Sequence, residues 1–204
     1  PGHVAIVGDG ADEASLRDVV GAALDVGLRW LTVEVVAAAS LGEPVASTCE
    51  ALAAAEPMVV AIGRYAHDRG VRIRVLGRRE PRIPSRLQRV LSDAEALTAG
   101  NHGLTLTLAV DHDGRVELAD AIAALAEEVR AGKLRPAAID EDTVAAHLTV
   151  PDLPDPDLIV RTGGDTRTAG VLVWQSAYSE LVFTEAGWPR CGRADLLDAV
   201  EEYQ

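Results

Sequence analysis

Pro154-Asp155-Pro156-Asp157-Leu158-Ile159-Val160-Arg161-Thr162-Gly163-Gly164-Asp165-Thr166-Arg167 joins a stiff entry, a short apolar run and a turn carrying two guanidinium groups. The prolines hold the entering chain extended. Residues 157–160 read as a strand, rich in aliphatic side chains and bounded by turn residues. The loop that follows puts Arg161 and Arg167 on either side of a glycine pair. Arginine forks bind phosphate oxygens in bidentate fashion, and a glycine-rich turn can expose backbone N–H groups to an anion. The loop therefore reads either as an anion site or as a surface loop with ordinary salt bridges.

Working outward, strand-like and helix-like patterns alternate along the chain. Strands are expected at 3–7, 28–36, 71–76, 104–110, 157–160 and 171–174, and helices at 13–26, 45–69, 85–98, 116–131, 140–148 and 194–203. Leu16, Val19, Val20, Ala23 and Leu24 share one side of the first helix. Pro57 should kink or break the second. Arg72 and Arg74 give the strand at 71–76 one basic side. Strands separated by helices imply βαβ units, hence an α/β fold with a central, mainly parallel sheet flanked by helices. Ligands on such sheets bind outside the carboxyl ends of the strands. With no repeat, linker or low-complexity tract, residues 1–204 are expected to form a single domain.

Composition narrows the function. Hydrophobic residues make up 48% of the 204, which excludes disorder, and no apolar stretch is long and uncharged enough to span a bilayer. The net charge of −13 argues against nucleic acid as a partner, yet leaves room for a local basic pocket holding a small phosphorylated ligand. Cys49 and Cys191 lack metal-ligand or CxxC spacing and read as free thiols in a reducing compartment. No signal-peptide pattern precedes the first strand-like run, so a cytoplasmic protein is expected.

Three further segments could carry chemistry. Gly8-Asp9-Gly10 follows the first strand, where a carboxylate could hold a divalent cation or simply close an acidic turn. Trp174-Gln175-Ser176-Ala177-Tyr178-Ser179-Glu180-Leu181-Val182-Phe183 looks mostly like core packing, with Glu180 needing a metal or an arginine as partner. Asp111-His112-Asp113 matches no standard metal spacing and reads as a turn plus a helix N-cap. No strand is followed by GxGxxG or a Walker pattern, which disfavours a nucleotide-binding module.

Taken together these segments resemble the cis-prenyltransferases, the family of undecaprenyl and other Z-prenyl diphosphate synthases. His3-Val4-Ala5-Ile6-Val7-Gly8-Asp9-Gly10 resembles the family's opening strand with its Asp-Gly pair. Val71-Arg72-Ile73-Arg74-Val75-Leu76-Gly77 resembles a mid-chain strand, and Gly114-Arg115 with Glu117-Leu118 resembles its Gly-Gly-Arg-x-Glu-Ile segment. The most specific match runs from Pro154 to Phe183. The resemblance implies an undecaprenyl diphosphate synthase-like fold and a reaction in which isopentenyl diphosphate condenses with an allylic prenyl diphosphate. It implies that Asp9 is catalytic and binds Mg²⁺, with Glu180 joining the metal site across a dimer. Arg161 and Arg167 would hold the donor diphosphate, with Gly10, Thr162 and Gly163 lining the diphosphate sites. A tunnel walled by Leu52, Met58, Val59 and Ile62 would take the product, with the small residues 53–55 leaving room. The expected assembly is a homodimer or a heteromer with a complete cis-prenyltransferase, with peripheral membrane association.

The chain departs from the family in three places. The family continues its Asp-Gly with Asn-Gly-Arg-Trp-Ala and a phosphate-binding loop, whereas Gly10 here runs into Ala11-Asp12-Glu13 over a shorter connection. After the second strand the family carries Phe-Ser-x-Glu-Asn-Trp. The same register here reads Val36-Ala37-Ala38-Ala39-Ser40-Leu41, with Pro44 still in step. Ala169 stands where the family has a serine. These changes leave two expectations: an enzyme with an altered active site, or a catalytically deficient partner subunit lending Arg161, Arg167 and Glu180 to a complete one.

Overall fold

A computed structural model describes residues 1–8, 10–37, 45–77, 83–167, 170–188 and 190–203, with side chains in the stretch 45–77 described from residue 50 onward. Six strands form one sheet: β1 (His3–Val7), β2 (Trp30–Ala37), β3 (Arg72–Leu76), β4 (Thr105–His112), β5 (Leu158–Arg161) and β6 (Glu180–Phe183). Their spatial order is β3-β4-β2-β1-β5-β6, and each neighbouring pair is parallel. The helices are α1 (Glu13–Asp25), α2 (Val45–Asp68), α3 (Ser85–Thr98), α4 (Gly114–Arg130), α5 (Glu141–Ala145) and α6 (Arg193–Glu202). The α/β class with a parallel sheet flanked by helices is thus realised.

The four inner strands are buried on both faces, as a parallel sheet demands. Val4, Ile6, Leu31, Val33, Leu106 and Leu108 face one side, where they meet the apolar stripes of α1, α2, α3 and α6. Gly63 lets α2 and α3 approach, since a Cβ there would already touch Ala94. The opposite face is thinner. Ala5, Val7, Ala109 and Ile159 are covered there by Val150, Leu153, Val171 and Leu172. This second face also carries polar side chains, because strand residues alternate sides. His3 bridges it by donating from Nδ1 to the Pro154 carbonyl (2.7 Å) and accepting at Nε2 from Thr32 Oγ1 (2.8 Å).

Three sequence expectations are corrected. Residues 171–174 are not a strand. Leu172 takes a left-handed backbone (φ 55°), and the Ser176 N–H returns to the Leu172 carbonyl, so the segment closes as turns. The strand lies instead at Glu180–Phe183, and the segment around it is not core: Tyr178, Leu181 and Phe183 are exposed while Gln175 alone is deeply buried. Pro57 does not break α2, which runs through it. Both Pro57 and Ala53 face solvent, so water can take the carbonyl that the missing N–H leaves unpaired.

Candidate functional site: a buried guanidinium at the carboxyl edge of the sheet

The register sets the site. Val7 pairs with Arg161, so the ends of β1 and β5 lie side by side. The Thr162 N–H donates to the Val7 carbonyl (2.9 Å), and its hydroxyl reaches the same oxygen at 3.3 Å. This close approach requires glycine at position 8: a Cβ there would collide with Thr162 Oγ1 and stand 3.6 Å from Arg161 Nη1.

Arg161 is buried to within 8% side-chain exposure. Its Nε donates to the Arg167 carbonyl (3.1 Å) and its Nη2 to Asp165 Oδ2 (3.1 Å). Its Nη1 is buried without a hydrogen-bond partner among the described residues. A cationic donor left in that state normally costs free energy, so it marks a place for an anion. Asp165 braces the loop. It accepts from Arg167 Nε (3.1 Å), Nη2 (2.9 Å) and backbone N–H (3.0 Å). Hydrogen bonds from Arg167, then Arg161, hold the Asp165 carboxyl well below the usual range, and Asp165 in turn raises Arg167. Arg167 itself points outward, with 87% of its side chain exposed.

The backbone nest expected at the glycine pair is not open. Gly163 and Gly164 do adopt positive φ (84° and 69°), but their N–H groups donate to the Ala186 and Thr184 carbonyls. The Gly10 N–H likewise donates to the Gly8 carbonyl at 2.8 Å. The Gly163 and Gly164 donors are consumed by partners outside the motif, and the Gly10 donor by one within its own turn.

The structure brings Gly10, Arg161, Thr162, Gly163 and Arg167 to one edge. Asp9, and with it the segment 38–40 and Ala169, lies outside the described residues. Glu180 is placed elsewhere in the chain: it is exposed at the start of edge strand β6, level with Leu158, while Arg161 is level with Phe183. At the end of β4, Asp113 caps α4 by accepting from the Arg115 and Val116 N–H groups. Among the described residues no three His, Cys, Asp or Glu side chains cluster as a metal cage. Leu52, Met58, Val59 and Ile62 are buried in the α1–α3 core, beside a cleft of about 190 Å³ between α2 and α3.

One residue escaped the sequence reading. Glu34 on β2 is 2% exposed and its Oε2 accepts the Gly8 N–H at 3.0 Å. The signal was there: a lone acid inside the apolar run Trp30-Leu31-Thr32-Val33-Glu34-Val35-Val36 has to be held by something.

The prenyltransferase family model for undecaprenyl diphosphate synthase matches residues 3–204. Isoprenyl transferase 2 of Bradyrhizobium diazoefficiens is 36% identical over 220 aligned positions, covering 100% of this chain and 87% of that protein. The ditrans,polycis-undecaprenyl-diphosphate synthase of Xanthomonas campestris pv. campestris, specific for (2E,6E)-farnesyl diphosphate, is 37% identical over 97% of this chain and 76% of its own length. Among solved structures, lavandulyl diphosphate synthase from Lavandula x intermedia, in complex with dimethylallyl diphosphate, superposes with a TM-score of 0.91 at 27% identity, covering 100% of this chain and 94% of that one. With a parallel sheet whose carboxyl edge presents a buried guanidinium, and with relatives of this closeness over nearly its whole length, the chain belongs to the undecaprenyl diphosphate synthase family of prenyltransferases.

Proposed function

We propose that the chain binds isopentenyl diphosphate through Arg161 and Arg167 and condenses it with an allylic diphosphate in an altered active site. The observation that carries this reading is Arg161 Nη1, buried beside Gly8 with no hydrogen-bond partner among the described residues. In the reaction a C–C bond forms between the isopentenyl C4 and the allylic C1, the C1–O bond breaks, diphosphate leaves, and a proton is lost from the isopentenyl C2. The arginines hold the donor and fix its double bond in line. Dimethylallyl diphosphate is the first allylic substrate to test, because the lavender enzyme of the same fold binds it.

Magnesium suits this donor set. It keeps several waters and is held by one or two carboxylates together with substrate phosphates, so a three-residue protein cage is not required. Asp9 is the residue that would hold it, with Glu180 supplied from a second chain. When bound, the ion neutralises charge on the departing diphosphate.

Two observations support an altered site. The 220 positions aligned with the Bradyrhizobium relative exceed the 204 residues of this chain, and α1 begins at Glu13, only six positions after β1 ends. Ala37 ends β2 where the family's pattern has a serine. A second reading, a catalytically deficient partner subunit, shares the exposed Glu180 of the first and draws its support from Ala37, which stands where the family's pattern has a serine. A labelled condensation assay decides between them. Product from the isolated chain supports the first reading, and product only after a complete homologue is added supports the second. No product under either condition contradicts both.

A further inference from the structure

We infer that the amino edge of the sheet carries a second binding site, separate from that of Arg161, which takes a nucleoside monophosphate with its phosphate on Arg29 and Arg72 and its base on Trp30. A cleft of about 530 Å³ opens there between the turn after α1, the first residues of β2, β3 and β4, and the loop after α3. That volume falls within the about 300–1,000 Å³ of small-ligand sites. Arg29, Arg72 and His102 line the cleft beside Trp30, and among the described residues no carboxylate does. Acidic residues outnumber basic ones in the chain by 32 to 19, so a hollow whose charged walls are all cationic runs against the overall charge.

The strand register builds this cleft. Thr105 on β4 pairs with Trp30 on one side and with Arg72 on the other. Leu31, Leu106 and Ile73 face the thick core, so Trp30, Thr105 and Arg72 share the thin face. A small side chain thus stands between an indole and a guanidinium whose backbones are two interstrand spacings, about 10 Å, apart. A flat ring needs about 3.5–4.0 Å beside the indole, so it fits the notch over Thr105 with its anionic group turned to Arg72. Among the described residues neither Arg29 nor Arg72 spends its guanidinium on a hydrogen bond or an ion pair. Arg72 acts on Asp152 through space, but that carboxylate is bonded to Arg74. Asp155 and Asp157 lie in the hollow on the other side of Trp30, where Asp157 is bonded to the Gly2 and His3 N–H groups and neither pairs with Arg29. Two unengaged forks and an imidazole offer more donors than the two oxygens of a carboxylate use, and they match a phosphate monoester. The Arg161 site is at the opposite edge: Trp30 is level with His3 and Arg161 with Val7, four residues or about 13 Å along β1.

Calorimetric titration of the full chain with adenosine monophosphate in the presence of a chelator tests this, with inorganic phosphate and adenosine titrated separately. Saturable binding at one site per chain is expected, about tenfold or more tighter than for either fragment, because each fragment lacks half of what the cleft recognises. Arg29→Gln combined with Arg72→Gln should weaken that binding by about tenfold or more, since the charged hydrogen bonds of both forks are lost. Both arginines are exposed, so this double variant should melt with the unaltered chain. Arg161→Ala should leave the affinity for adenosine monophosphate unchanged, which separates this site from the diphosphate site and keeps the inference independent of the functional reading above. No saturable binding, binding no tighter than that of inorganic phosphate, full binding by the double variant, or binding lost in Arg161→Ala would each overturn the inference.

Discussion

Arg161 is held through two of its three guanidinium nitrogens. Its Nε and Nη2 are spent on Arg167 and Asp165, which orient the plane of the guanidinium, while its Nη1 has no hydrogen-bond partner among the described residues. Arg161→Lys would keep the charge and lose the fork. Isopentenyl diphosphate binding should then weaken by about tenfold, the loss of one charged hydrogen bond near 1.5 kcal/mol. Calorimetry reads this directly, and an unchanged affinity would show that charge alone suffices. A second prediction at this scale concerns pH. Burial pushes His3 below its usual 6.5, against raising contacts from the Pro154 and Asp155 backbone, and burial also lowers His112. Each folded-state histidine then binds fewer protons than its unfolded counterpart. Their stabilisation is complete above the unfolded value and is lost as pH falls through the lowered folded one. Melting temperature should therefore drop on acidification below about pH 6.5, less steeply in His3→Gln. An equal slope in the variant would refute the assignment to His3.

At the scale of elements, the short connection between β1 and α1 works because Asp12 caps the helix, its Oδ1 accepting the Ser15 N–H at 2.9 Å. Asp12→Ala should cost about 1 kcal/mol, a fall of about 2–4 °C in melting temperature, while leaving diphosphate binding intact. A parallel loss of binding would mean that the cap also shapes the Gly8–Gly10 turn. This scale also shows what was legible in the sequence. The βα alternation could be read because the inner strands are mostly apolar runs, broken only by Glu34 and Thr32 in β2 and the polar residues of β4, and most helices carry a clear stripe. Arg161 could be located because it directly follows such a run. Residues 171–174 misled because Val171 and Val173 suggest a strand, whereas the positive φ of Leu172 leaves no trace in an apolar pattern. Glu180–Phe183 was missed because an edge strand exposed on both sides loses the contrast that marks its inner neighbours. The closure of the glycine nest depends on Thr184 and Ala186, twenty or so residues away, and no local motif reveals it.

For the whole molecule, β6 closes one side of the sheet with an unpaired backbone edge and with Leu181, Phe183 and Tyr178 exposed at 42%, 46% and 95%. Apolar surface on an open edge is a liability in a lone chain and an asset in a pair. The chain should therefore dimerise with itself or a homologue, and Phe183→Asp should shift light scattering towards monomer. A monomer at high concentration, with and without homologues, would contradict this. No described helix is long and apolar enough to cross a membrane. Cys191 sits deep under α6, its thiol pushed up to about 12 by burial and then by Asp195, so it stays protonated and inert at neutral pH.

If this prenyltransferase fold grips a diphosphate, the guanidinium of Arg161 at the end of β5 should carry the grip. Titration of the chain with isopentenyl diphosphate in Mg²⁺, beside Arg161→Ala, tests it most directly. Saturable binding at one site per chain, weakened by about tenfold or more in the variant, is the predicted result for a charged contact worth about 1.5–3 kcal/mol. Absence of binding, or equal binding by both proteins, would contradict it.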